Sequence, residues 1–290
     1  MLVVGVLAAL LIGISLGLLG GGGSILTVPI LLYVFHLPPR VAIATSLLVV
    51  GSTSAAALVP HARAGRVRWK TGAWFGAASM LGAYLAGRVA KFIPASALLL
   101  LFGAMMLVTA VAMMRGRKGD AGGRGAEPAE LPVFKVLAEG LAVGGVTGLV
   151  GAGGGFLVVP ALVLLGGLPM GVAVGTSLMV ITMKSFAGFA GYLSSVEVPW
   201  GIAGSVVAAA VVGSVIGGRL VSLVPADKLR RGFAWFVVVM AVFILGQEVP
   251  KLFGLRVTVA THWPWLLAAM AAPPLAAALV AAARRQPHAV

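Results

Sequence analysis

Two glycine runs, each followed at the same interval by a Thr-Ser pair, are the residues of this sequence best suited to chemistry. Gly20, Gly21, Gly22, Gly23 and Ser24 precede Thr45 and Ser46, while Gly151, Gly153, Gly154 and Gly155 precede Thr176 and Ser177. A glycine-rich stretch leading into a helix leaves backbone N–H groups free and adds the positive end of the helix dipole. Together these hold an anion without any charged side chain. Ser24 can cap one such helix, and Gly155 has the equivalent place in the other run. The Thr and Ser hydroxyls lie about a turn into the next helix, where they can face the broken segment of either half and donate hydrogen bonds to an oxyanion. The structural alternative is that the glycines allow close helix packing and the hydroxyls tie helices together.

Lys184 is the basic residue set in the middle of an apolar segment, MVITMKSFAGFAGY. An ionisable group at such depth in hydrocarbon is costly and marks function by default. It reads either as a positive charge that attracts an anion or as a group that gives up its proton during the protein's work. The competing reading is a side chain that snorkels to an interface, which its distance from the segment ends disfavours. Glu139, beside Lys135, reads as a proton carrier or as an interfacial carboxylate with a basic neighbour.

Other chemistries find no constellation. His36, His61, His262 and His288 are scattered and form no ligand spacing, so no metal site is expected. GAGGG at 151–155 lacks the acidic residue and the β-α-β setting of a dinucleotide fingerprint, and no Gly-Lys-Ser/Thr phosphate loop occurs, so no cofactor is expected. There are no paired carboxylates and no nucleophile–base pair, and the absence of cysteine excludes thiolate chemistry; an enzyme is not expected.

The elements that must position these residues are membrane segments. Of 290 residues 60% are hydrophobic and 10% charged, with mean hydropathy +1.10, and apolar runs recur along nearly the whole length. That is a polytopic membrane protein. The net charge of +14 comes from 21 Lys and Arg against 7 Asp and Glu. The basic residues cluster between apolar segments, where they orient the chain against anionic lipid at the cytoplasmic face. No aromatic residues interleave with them, so nucleic acid is not an expected partner.

The sequence repeats itself at an offset of 131 residues: GLLGGGGSILTVPIL at 17–31 aligns with GLVGAGGGFLVVPAL at 148–162, and LPPRVAIATSL at 37–47 with LPMGVAVGTSL at 168–178. Trp69 falls on Trp200 and Gly87-Arg88 on Gly218-Arg219, and about a third of the positions from 13 to 102 are identical without a gap. The first apolar run therefore belongs to the fold and is not a signal peptide. Thr53 is the repeat mate of Lys184, so any charge term comes from one half.

Each half contains five apolar segments, at roughly 2–19, 25–36, 41–60, 70–90 and 95–114, then 134–150, 156–166, 171–193, 200–222 and 229–247. The expected organisation is a first membrane repeat at 1–114, a cytoplasmic linker at 115–133 and a second membrane repeat at 134–247. Residues 248–290 then supply an external loop, a final transmembrane helix near 264–283 without a counterpart, and a cytoplasmic tail. If each half crosses an odd number of times, fifteen Lys and Arg fall on one face and five on the other, whereas a parallel arrangement mixes them. The clearest sign is the basic loop at 63–70, whose mate SSVEVPWG has no basic residue. The halves are therefore expected to be inverted.

Inverted repeats with glycine-interrupted short segments point to a secondary transporter and to its binding site. Segment 25–36 is about 18 Å long as a helix, too short to span hydrocarbon, so the chain is expected to break inside the membrane. The fold expected is all-α: two inverted-topology repeats with glycine-broken half-helices plus one extra C-terminal helix.

The doubled G-x-x-G-x-G-G-x-x-x-x-x-P pattern at Gly17–Pro29 and Gly148–Pro160, with the A-x-x-T-S-L blocks at 42–47 and 173–178, resembles the TauE/SafE family of sulfite exporters and related anion permeases. The resemblance covers nearly the whole chain. It implies a permease of the cytoplasmic membrane that exports sulfite, sulfoacetate or other sulfur-containing or organic anions. Ser24 and Ala152 depart from glycine between the halves.

The function expected is a secondary transporter of a small oxyanion, sulfite or an organosulfonate, working by alternating access in the inner membrane with its C-terminus cytoplasmic. The glycine runs, Thr45, Ser46, Thr176, Ser177 and Lys184 are expected to line its site, with proton or sodium coupling left open. One alternative is a cation-coupled carboxylate carrier in which unwound carbonyls bind Na⁺. Another, of a different class, is a membrane scaffold or enzyme.

Overall fold

The computed structural model describes residues 2–19, 24–115, 133–151, 153–164, 168–220 and 226–252. Among the described residues every long element is an α-helix: α1 (Leu2–Leu19), α2 (Thr27–Tyr33), α3 (Pro39–Arg63), α4 (Trp69–Val89), α5 (Ala95–Arg115), α6 (Val133–Val150), α7 (Gly155–Leu164), α8 (Met170–Tyr192), α9 (Trp200–Leu220) and α10 (Ala226–Leu252). Hydrocarbon offers the backbone no partners, so a chain this apolar satisfies its N–H and C=O groups within each helix. By length and composition, Pro39–Arg63, Gly171–Tyr192 and Trp200–Gly217 suffice to cross a membrane. Residues 116–132 of the linker expected at 115–133, and the last apolar segment, lie outside the described residues; Arg115 and Val133 are helix ends.

Helix starts follow the repeat. Those of α1 and α6, of α3 and α8, of α4 and α9, and of α5 and α10 are each 131 residues apart, as 133 − 2, 170 − 39, 200 − 69 and 226 − 95 show. Pro38 and Pro169 both stand at the N-cap, and Pro39 fills the first helical position of α3, where its missing N–H costs nothing.

Two compact units emerge. The first is built from α1–α4 and α6–α9, the second from α10 and most of α5. In the first, α4 lies between α6 and α8. Its inner face is a stripe of small buried residues, Gly72, Gly76, Ser79, Gly82, Ala83, Ala86 and Gly87, while Trp74, Leu81 and Leu85 are exposed. Small residues inward and large apolar ones outward is the pattern of a helix that packs closely on its neighbours and faces lipid elsewhere. At Gly82 a Cβ would strike Leu141 O, and at Gly144 it would strike Ser79 O. One repeat away, Gly213 meets Leu10 O and Gly13 meets Ala210 O, so α9 grips α1 as α4 grips α6.

The direction of α8 is set by its neighbours. Gly72 meets Thr176 and Gly87 meets Gly191, so α4 and α8 run parallel. Gly51 meets the ring of Phe186 while Leu47 meets Gly188, so α3 and α8, which are repeat mates, run antiparallel. The α3–α4 loop sits on the start of α8: Gly175 abuts Arg66 O, and the Arg68 N–H donates to Thr176 Oγ1 at 3.0 Å. In the second unit Gly103 of α5 packs on Ile244 and Leu245 of α10.

Candidate functional site

The second glycine run breaks the chain between α6 and α7. Gly151, Gly153 and Gly154 have φ of +74°, +61° and +61°, in the left-handed region where a side chain is penalised. The Gly151 N–H donates to Thr147 O at 3.0 Å and ends α6; Gly154 O accepts the Leu157 and Val158 N–H groups at 3.0 Å and opens α7. The break is pressed on all sides. A Cβ on Gly151 would come 2.7 Å from Ser46 Oγ, one on Gly153 would strike Val50, and one on Gly154 would strike both Thr147 and Lys184 Nζ.

Ser24, which follows the first run, reaches this place: a Cβ on Gly153 would lie 3.1 Å from the Ser24 Cβ. Ser24 is buried and opens a short 3-10 turn; the N-cap of α2 is Leu26, without a side-chain cap bond, so the serine stands two residues ahead of the cap and does not serve as it. Gly20, Gly21, Gly22 and Gly23 lie outside the described residues. Gly155 is buried as the first residue of α7.

Lys184 is 1% exposed, and its Nζ donates to Thr147 Oγ1 at 2.6 Å. Thr147 in turn donates its proton to Val143 O at 2.7 Å, leaving its oxygen free to accept from the lysine. The ammonium thus meets the glycine break at the head of α7, the positive end of that helix's dipole. Among the described residues no carboxylate pairs with Lys184. Glu139, on α6, lies eight residues before Thr147, about 12 Å along the helix.

The hydroxyl pairs divide. Ser46 Oγ lies 2.7 Å from both Ile43 O and Gly151 O, so α3 ties directly to the break of the other half. Its mate Ser177 donates to Val174 O within α8, at 2.8 Å. Thr176 faces the α3–α4 loop through Arg68 and Gly72, and lies eight residues from Lys184. Thr45 is fully buried and its Oγ1 has no partner among the described residues. Lys184, Ser46, Ser24, Gly151, Gly153 and Gly154 are therefore brought together, whereas Thr176 and Ser177 lie toward the start of α8.

Sequence reasoning missed Thr147, whose repeat mate is Leu16 and which carries no symmetric signal. It also missed Ser54 and Ser185, repeat mates beside Thr53 and Lys184 that are both buried and whose hydroxyls have no partner among the described residues. Their identity at the 131 offset is the signal that could have found them. Thr27 Oγ1 of α2 is a further buried hydroxyl without a partner among the described residues.

An all-helical, multi-pass membrane protein with a charged, glycine-broken centre is the class that fold and site define. The profile of the family described as "Sulfite exporter TauE/SafE" matches residues 5–244, and the chain belongs to that family of membrane transporters. It is 34% identical over 241 residues to a "Probable membrane transporter protein" of Xylella fastidiosa, covering 82% of this chain and 92% of the relative. To "Probable membrane transporter protein YdhB" of Bacillus subtilis it is 26% identical over 226 residues, with 78% and 92% covered. No solved structure matches the chain.

Proposed function

We propose that this transporter moves small oxyanions, sulfite or an organosulfonate such as sulfoacetate, by alternating access across the inner membrane with its C-terminus cytoplasmic. One observation carries the substrate class: the Lys184 ammonium and the head of α7 converge on Gly154 without a carboxylate between them. Two positive poles facing each other in a dry interior are unfavourable alone and are both satisfied by one anion. Ser46 and the left-handed glycines give that anion a polar, close-fitting wall.

The antiparallel course of α3 and α8 supports inverted repeats, as does the docking of the 64–68 loop, at the end of α3, on the start of α8. Inverted halves give two packings of similar energy related by exchange of roles, which is the basis of alternating access. The test is uptake of labelled sulfite into proteoliposomes with sulfoacetate, sulfate and a carboxylate as competitors. Saturable uptake that sulfoacetate inhibits, that needs no sodium and that Lys184→Ala reduces is the expected result. Absence of flux for every one of these anions, in vesicles holding folded protein, overturns the reading.

A further inference from the structure

Lys184 differs from most buried lysines in what it is bonded to. Its acceptor is a hydroxyl, at 2.6 Å, and not a carboxylate. A carboxylate would hold the charge in place throughout a cycle. A hydroxyl serves both forms of the amine, since –NH3⁺ and –NH2 each have an N–H to donate to Thr147 Oγ1.

Among the described residues no second group fixes the charge on Nζ. The elements packed on α8 are α3, α4, α6 and α7. Residues 47–54 of α3, 76–83 of α4, 143–150 of α6 and all of α7 contain no ionisable side chain. The ionisable groups of these helices lie toward their ends: Arg40, His61 and Arg63 on α3, Lys70, Tyr84 and Arg88 on α4, Lys135 and Glu139 on α6, and Tyr192 on α8 itself. With an anion at the head of α7 the ammonium is compensated. Once the anion leaves, the charge faces the dipole end of α7 alone, at 1% exposure.

We propose that Lys184 carries one proton per transport cycle. Protonated Nζ accompanies the bound anion; on its release the N–H bond breaks, the proton passes to water on the same side, and the emptied site returns as the neutral amine. Anion and proton thus leave together, and the return step moves no fixed charge through the protein. This inference rests on the oxyanion reading and adds its coupling ion.

The experiment compares two fluxes of labelled sulfite from proteoliposomes: net efflux into anion-free buffer, which needs the empty return, and exchange against external sulfite, which does not. Both are measured over a range of pH equal on the two sides. In the wild-type protein the ratio of net efflux to exchange rises with pH, because the return step uses the neutral amine. Lys184→Arg keeps the charge and cannot lose it, so its ratio falls by roughly tenfold or more at every pH, while exchange persists at a reduced rate. An arginine variant with the wild-type ratio overturns the proposal. If that variant fails to fold, the wild-type pH series decides alone: a ratio that does not change with pH, or exchange without any net efflux, overturns the proton step and leaves the oxyanion reading standing. Absence of both fluxes from the wild type overturns the oxyanion reading and this inference with it.

Discussion

Helices α3 and α8 start 131 residues apart, carry the same Thr-Ser-Leu block and run past each other antiparallel, yet their polar groups are used differently. Thr176 accepts the Arg68 N–H, whereas the residue equivalent to Arg68 in the other half is Pro199, which has no N–H to give. Thr45 is left buried and without a partner among the described residues. Lys184 reaches out of α8 to Thr147 of α6, whereas its mate Thr53 turns back to Val49 O and Val50 O of its own helix. The helix starts repeat along the chain while the polar contacts of the two helices do not.

The largest expected effect tests whether the second break is irreplaceable. Gly154→Val places a branched side chain at φ +61° against Thr147 and Lys184, so it should abolish sulfite flux and destabilise the protein by about 2 kcal/mol or more. Thermal unfolding in detergent measures the second part. Gly204→Ala on α9, where a Cβ meets nothing within 4 Å, is the control and should leave both unchanged.

Next comes the charge. Lys184→Met should cut sulfite flux by roughly ten- to a hundredfold while leaving the melting temperature level or higher, since it removes an uncompensated buried charge. Moving the charge is the sharper version: Thr53→Lys combined with Lys184→Thr should recover part of the flux that Lys184→Thr alone loses. If the double variant is no better than the single one, the two positions are not equivalent and the comparison fails.

The smallest effects separate the two threonines. Thr176→Val leaves the Arg68 N–H without its acceptor and should cost about 1 kcal/mol. Thr45→Val removes a hydroxyl that bonds nothing among the described residues, so stability should hold or rise by a few tenths of a kcal/mol. A fall in sulfite flux for Thr45→Val without a fall in stability would assign that hydroxyl to the anion.

Much of this was legible in the residues themselves. Hydropathy gave the membrane segments, because hydrocarbon admits only helices or closed barrels and the apolar runs have helical length. The 131-residue offset gave the helix starts, since the same residues in the same order meet the same solvent and form the same elements. Depth in an apolar run singled out Lys184. What the sequence could not show was partnership: which helix lies beside which depends on the fit of surfaces across the fold, not on neighbours in the chain. Thr176 and Ser46, equivalent by pattern, were separated only when α8 met the α3–α4 loop and α3 met the break. Thr147 carried no signal at all until α6 came to lie against α8 with Lys184 pointing at it. Local chemistry therefore fixed the described helices, the second break and the buried charge, and long-range packing decided which polar atoms are spent within the protein.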